Sequence, residues 1–128
     1  MLVTIDTARP DRLGFYGNSD IATPNLDRLA RNSAVFTRAL ATTPITLPSH
    51  ASILTGRYPH HHGVRLNGLP PLAPEQKTLA EHLSHQGYDT AAFVSSFILD
   101  AQFGLAQGFS RYDDQSAEES SAKGYAER

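Results

Sequence analysis

The sequence predicts an α/β fold with a mainly parallel sheet flanked by helices, and three observations carry that expectation. Leu2 to Ile5 is a short apolar run carrying β-branched Val3 and Ile5 and ending on Asp6, the pattern of a buried parallel strand. Thr78-Leu79-Ala80-Glu81 has the form of a capping box, which starts a helix. Asp89 to Val94 then reads as a second parallel strand, so strand and helix alternate as in a β–α–β unit.

The elements follow in order. In open α/β sheets ligands gather beyond the carboxyl ends of strands, which is where Asp6 stands. Residues 8–22 contain Pro10, Gly14, Gly17 and Asn18 and read as a loop. Thr23 is expected to cap a helix with Pro24 in its first position and Leu26, Leu29 and Ala30 on one face. Ala34 to Ala41 reads as an extended segment. The proline-rich stretch from Leu69 to Pro74 is a loop before the capping-box helix. That helix is expected to run to about Gln86 and stop at Gly87, with Leu79, Ala80 and Leu83 inward. Residues 115–128 are polar and expected to be poorly ordered, leading to a missing remainder.

Composition excludes several classes. At 128 residues, with 40% hydrophobic and 19% charged residues, the chain can bury a core and is not compositionally disordered. A net charge of −2 gives no basis for binding nucleic acid or an anionic membrane. Cysteine is absent, which excludes disulfides and thiolate metal sites. No apolar run approaches the roughly 20 residues that span a bilayer. No secretory signal precedes the first strand-like segment, so the cytoplasm is the default, or the periplasm or exterior if upstream residues are missing.

The densest signal is Thr46-Leu47-Pro48-Ser49-His50-Ala51-Ser52-Ile53-Leu54-Thr55-Gly56. A hydroxyl stands just ahead of a proline-started helix that closes on glycine. A side chain there meets unpaired N–H groups and the positive end of the helix dipole, which stabilise an alkoxide or the oxyanion of an ester. On spacing alone an ordinary N-terminal cap explains the pattern as well.

The surroundings add to this. The segment resembles the nucleophile motif of the sulfatase branch of the alkaline phosphatase superfamily, x-Pro-Ser-Arg-Ala-Ser-Leu-Leu-Thr-Gly after a Cys or Ser that becomes formylglycine. Arg57-Tyr58-Pro59-His60-His61-His62-Gly63-Val64 is similar to the Gly-x-Tyr-Pro-x-x-His-Gly run that follows it. Val3 to Asp11 resembles the first strand with its metal-binding carboxylate, and Thr23 to Ala30 the next helix. The resemblance covers most of residues 2–114 in one order. It implies a partial alkaline-phosphatase-like three-layer sandwich, with residues 1–114 the N-terminal portion of a larger sulfatase-like domain.

The resemblance also implies roles. Thr46 stands in the nucleophile position and would share a divalent cation (Ca, Mn, Zn or Mg) with Asp6. Threonine cannot become formylglycine; Thr in this position is typical of branches acting on phosphate esters through a phospho-threonine. An isolated Asp6 would otherwise cap a turn. His50 replaces the arginine that supports the nucleophile and binds ester oxygens, so anion binding should weaken or become pH-dependent; the alternative is a helix-surface histidine. Gly87-Tyr88-Asp89-Thr90-Ala91-Ala92 matches the start of a second signature whose lysine position falls on Ser95, a candidate substrate contact. His60, His61 and His62 cannot converge on one ion from regular structure, so a solvated loop with His62 turned inward is expected. Asp113-Asp114 reads as a solvated turn.

The function implied is a metal-dependent hydrolase acting on a small-molecule sulfate or phosphate ester, with catalysis carried by Thr46 and His50. The alternatives are a non-catalytic remnant or interaction module, and a phosphotransferase passing through phospho-threonine. A free sheet edge is expected, with dimerisation through it.

Overall fold

The computed structural model describes residues 1–115. The polar tail expected to be poorly ordered therefore lies, beyond Gln115, outside the described residues. The chain divides into two compact units, Met1–Leu40 and Ala41–Arg128.

In the first unit, two 3-10 turns, Pro10–Arg12 and Gly14–Tyr16, precede helix α1, Pro24–Arg31. Pro24 is the first helical residue and Thr23 the cap position, as the sequence predicts. The Thr23 hydroxyl does not cap the helix backbone. It accepts the Gly14 N–H at 2.9 Å and donates to the Asp27 carboxylate at 2.9 Å, tying the turn to the helix. Asn18 orders the intervening loop by accepting the Asp20 and Ile21 N–H groups at 2.9 and 2.8 Å. Two expectations fail here. Leu2 to Ile5 is not in a strand, and Leu2, Val3 and Ile5 are exposed. Apolar patterning can favour a strand, but only a partner's ladder makes one. Ala34 to Ala41, expected to be extended, is broken by a turn at Thr37 and Arg38, and Phe36 C=O accepts the Tyr16 hydroxyl at 3.0 Å.

The second unit holds the core. Helix α2, Thr46–Thr55, turns Leu47, Ala51 and Leu54 inward at helical spacing, against Val64, Leu72, Leu99, Phe103 and Leu105. Gly56 closes it in the left-handed region at φ 66°, its N–H on the Ser52 carbonyl at 2.9 Å. The one-turn helix α3, Pro59–His62, follows, where a loop was expected. His62 is nonetheless buried at 2% exposure, while His60 and His61 are exposed. Helix α4, Leu79–His85, opens on the predicted capping box: Thr78 Oγ1 accepts the Glu81 N–H at 3.1 Å, and Glu81 accepts the Thr78 N–H at 2.8 Å. Ala80 is buried; Leu79, expected inward, is exposed.

Among the described residues the sheet has two parallel strands, β1 Ala91–Phe93 and β2 Arg111–Asp113, with Ala92 opposite Tyr112. β1 lies inside the predicted Asp89–Val94 span. β2 corrects the reading of Asp113-Asp114 as a solvated turn: Asp113 ends the strand, and Asp114 accepts the Ala101 N–H at 3.1 Å. Tyr112 carries little periodic signal in a three-residue strand, so its pairing to Ala92 was not visible locally. Two 3-10 turns, Phe97–Leu99 and Ala101–Phe103, make the crossover and feed Leu99 and Phe103 to the core.

A reciprocal clasp aligns the strand entries. Thr90 Oγ1 donates to the Gly108 carbonyl at 2.6 Å and accepts the Ser110 N–H at 3.0 Å, while Ser110 Oγ donates to the Thr90 carbonyl at 2.6 Å. At the far side the Tyr112 hydroxyl donates to the Leu99 carbonyl at 2.5 Å. Burial first, then the charges of Asp114 and Asp100, push that phenol up to about 12.

Candidate functional site

Thr46 is the first residue of α2, not the residue ahead of it, and Ile45 holds the cap position in extended conformation. Pro48 is thus third in the helix, still inside the first turn, where its missing N–H costs nothing. Because Leu47, Ala51 and Leu54 take the core face, Thr46 and His50 fall together on an adjacent face, one turn apart. Both are partly buried. His50 Nδ1 lies 2.9 Å from the Thr46 carbonyl. A carbonyl only accepts, so Nδ1 carries a proton and donates it. The arrangement differs from an arginine fork: the first nitrogen of the ring is committed to its own helix.

Ile45 has no side chain able to cap, and the cap comes from a distance. Asn67 Oδ1 accepts the Leu47 N–H at 2.9 Å. Nothing in the spacing announces this; Asn67-Gly68 carries only a turn signal.

Behind the same first turn lies a buried polar pair. Ser52 Oγ donates to the Pro48 carbonyl at 2.9 Å and lies 3.0 Å from His62 Nε2. The Val64 N–H points at His62 Nδ1 at 3.2 Å. With Nδ1 accepting, Nε2 carries the proton and donates to Ser52, so every polar atom of the pair is satisfied. Burial lowers the His62 pKa, and the bond toward Pro48 opposes that only in part.

Ser95 lies two residues past the end of β1, exposed, on the side where open α/β sheets bind ligands. Asp6 belongs to the 1–40 unit and is exposed. Asp6 and the Thr46 hydroxyl are hard oxygen donors, the kind that Mg, Ca or Mn take. Among the described residues no group of three or more His, Cys, Asp or Glu side chains is arranged to hold an ion. Among the described residues no helix is long and apolar enough to cross a membrane.

A parallel sheet joined through helical turns to a helix that carries a hydroxyl at its amino end makes this an α/β protein. The family model described as Sulfatase matches residues 1–126, and the chain belongs to the sulfatase family. It is 40% identical over 89 residues to an ulvan-active sulfatase of Formosa agariphila, covering 70% of this chain and 17% of that protein. Over 101 residues it is 39% identical to the steryl-sulfatase of Mus musculus, covering 71% of this chain and 16% of that one. The chain therefore spans only about a sixth of the length of these relatives. Among solved structures it is similar to the phosphonate monoester hydrolase of Agrobacterium radiobacter, with TM-score 0.73 and 28% identity over 94% of this chain and 27% of that one. It is also similar to a 2-O GAG sulfatase, with TM-score 0.68 and 27% identity over 81% of this chain and 22% of that one.

Proposed function

We propose that the full-length protein hydrolyses sulfate or phosphate esters of small molecules with Thr46 as the nucleophile, and that phosphate esters are its better substrates. The observation that carries this reading is the position of Thr46 at the head of α2, on the face it shares with His50. Relatives named as sulfatases and a structural neighbour named as a phosphonate monoester hydrolase support the reaction class.

Thr46 Oγ attacks the sulfur or phosphorus in line, forming a new ester bond as the bond to the alcohol oxygen breaks. The proton lost from Thr46 leaves with the alcohol, and water then cleaves the Thr46 ester, releasing sulfate or phosphate and restoring the hydroxyl. The positive end of the α2 dipole favours the anionic group beside Thr46. His50, one turn on, contacts the ester oxygens, and Ser95 contacts the substrate. A divalent cation belongs to this reading: it would hold the deprotonated nucleophile and offset the charge of the ester, and Asp6 and Thr46 each offer an oxygen of the kind it takes.

The test is turnover of aryl phosphate, phosphonate and sulfate esters by the full-length gene product and its Thr46→Ala variant. Turnover abolished by Thr46→Ala, with phosphate esters preferred, is the expected result. Full activity in Thr46→Ala overturns the nucleophile, and cleavage of sulfate esters alone overturns the substrate preference.

A further inference from the structure

Ser52 and His62 form a buried hydrogen-bonded pair that the reaction above does not use. Ser52 is 6% exposed and His62 2%, so neither hydroxyl nor imidazole can meet a substrate. The pair is built to one orientation. The Val64 N–H fixes the His62 tautomer, His62 Nε2–H then reaches Ser52 Oγ, and this leaves the Ser52 proton only the Pro48 carbonyl. A serine bonded back to the carbonyl four residues earlier bends or loosens a helix when it acts alone. Here His62 pins that serine from α3, so the bond from Ser52 to the Pro48 carbonyl is held in place. Pro48 donates no N–H of its own and is two residues from Thr46. Its carbonyl is held through Ser52 by His62, as the Leu47 N–H in the same turn is held by Asn67.

We propose that the Ser52–His62 pair positions Thr46: by holding the Pro48 carbonyl it sets the pitch of the turn from which the Thr46 hydroxyl projects. The inference rests on the reading of Thr46 as nucleophile. His62 and Ser52 are positioning residues and touch no reacting atom.

The experiment compares His62→Leu, His62→Gln and Ser52→Ala in the full-length protein. Glutamine carries an N–H that reaches Ser52; leucine fills space without a donor. Displacing a reacting group by about 1 Å costs on the order of 100-fold, so His62→Leu and Ser52→Ala should lower kcat by roughly 10- to 100-fold. KM should stay within about twofold, because substrate binding is untouched. His62→Gln should recover kcat to within about threefold of wild type, as restored hydrogen bonding requires. Equal kcat in all four proteins, a rise in KM alone, or equal losses in the leucine and glutamine variants overturns the proposal. Amide hydrogen exchange at Ser49 and His50 separates this from failure of the nucleophile reading. If Thr46→Ala stays fully active, faster exchange in His62→Leu but not His62→Gln still supports the brace, and unchanged exchange in both overturns it.

Discussion

Asn67 Oδ1 accepts the Leu47 N–H at 2.9 Å, so a loop residue twenty positions downstream caps the helix that carries Thr46. Leu47 is fully buried, and truncating Asn67 leaves its N–H without that acceptor. Asn67→Ala should therefore cost about 1–2 kcal/mol, the range of a lost cap on a buried donor. Asn67→Asp keeps the acceptor and adds a charge favourable to the helix dipole, so it should match wild type or exceed it. Urea midpoints at constant slope measure both, and equal midpoints for all three proteins refute the capping role.

Thr78 has two obligations. Its hydroxyl accepts the Glu81 N–H at 3.1 Å and donates to the Gln107 carbonyl at 2.8 Å, joining the start of α4 to the crossover before β2. Thr78→Val keeps the volume and loses both bonds, so unfolding should become easier by about 1–3 kcal/mol. Thr78→Ser keeps both and should lose little. The backbone N–H of Thr78, then Lys77, holds the Glu81 carboxyl below its ordinary range. That contribution is present above pH 4.5 and fades as pH falls through the depressed folded value. That backbone N–H survives in both variants, so acid unfolding of Thr78→Val should keep nearly the slope of Thr78→Ser while starting from a lower stability.

The parts legible in the sequence were those with local causes. The capping box at Thr78, the proline start of α1 and the glycine stop of α2 each depend on a few neighbouring residues. What was illegible is long-range. Val3 and Ile5 have strand character but no strand, whereas Arg111 to Asp113 has little and pairs with β1, since a ladder is decided by partners distant in sequence. The same holds at the candidate site. The hydroxyl of Thr46 and its place at a helix head could be read from the motif. Asn67 reaching Leu47, and His62 reaching Ser52, are products of packing.

Gly108 and Gly63 share the same positive φ, 84°, and differ in surroundings. A Cβ on Gly63 meets nothing within 4 Å, whereas one on Gly108 would overlap the backbone of Ala80 and Glu81. Gly63→Ala should cost about 1–2 kcal/mol, the left-handed penalty alone. Gly108→Ala adds an overpacking cost of about 1–3 kcal/mol, because backbone cannot rotate away as a side chain can. Thermal unfolding should rank wild type above Gly63→Ala above Gly108→Ala. A reversal would mean that α4 and the Gly108 turn separate easily.

His62 links stability to pH. Burial lowers its folded pKa, and hydrogen bonds to the backbone oppose that only in part. The unfolded imidazole takes a proton near 6.5 and the folded one resists it, so the unfolded state binds more protons below that pH. The contribution of His62 to stability is complete above 6.5 and is lost as pH falls from there through the lower folded value. His62→Gln cannot be protonated but keeps a donor toward Ser52, so it should remove this loss while leaving stability at pH 8 nearly unchanged. Melting temperatures from pH 8 to pH 5 should therefore fall more steeply for wild type than for His62→Gln. Parallel curves would mean that the Ser52–His62 contact opens before the proton arrives.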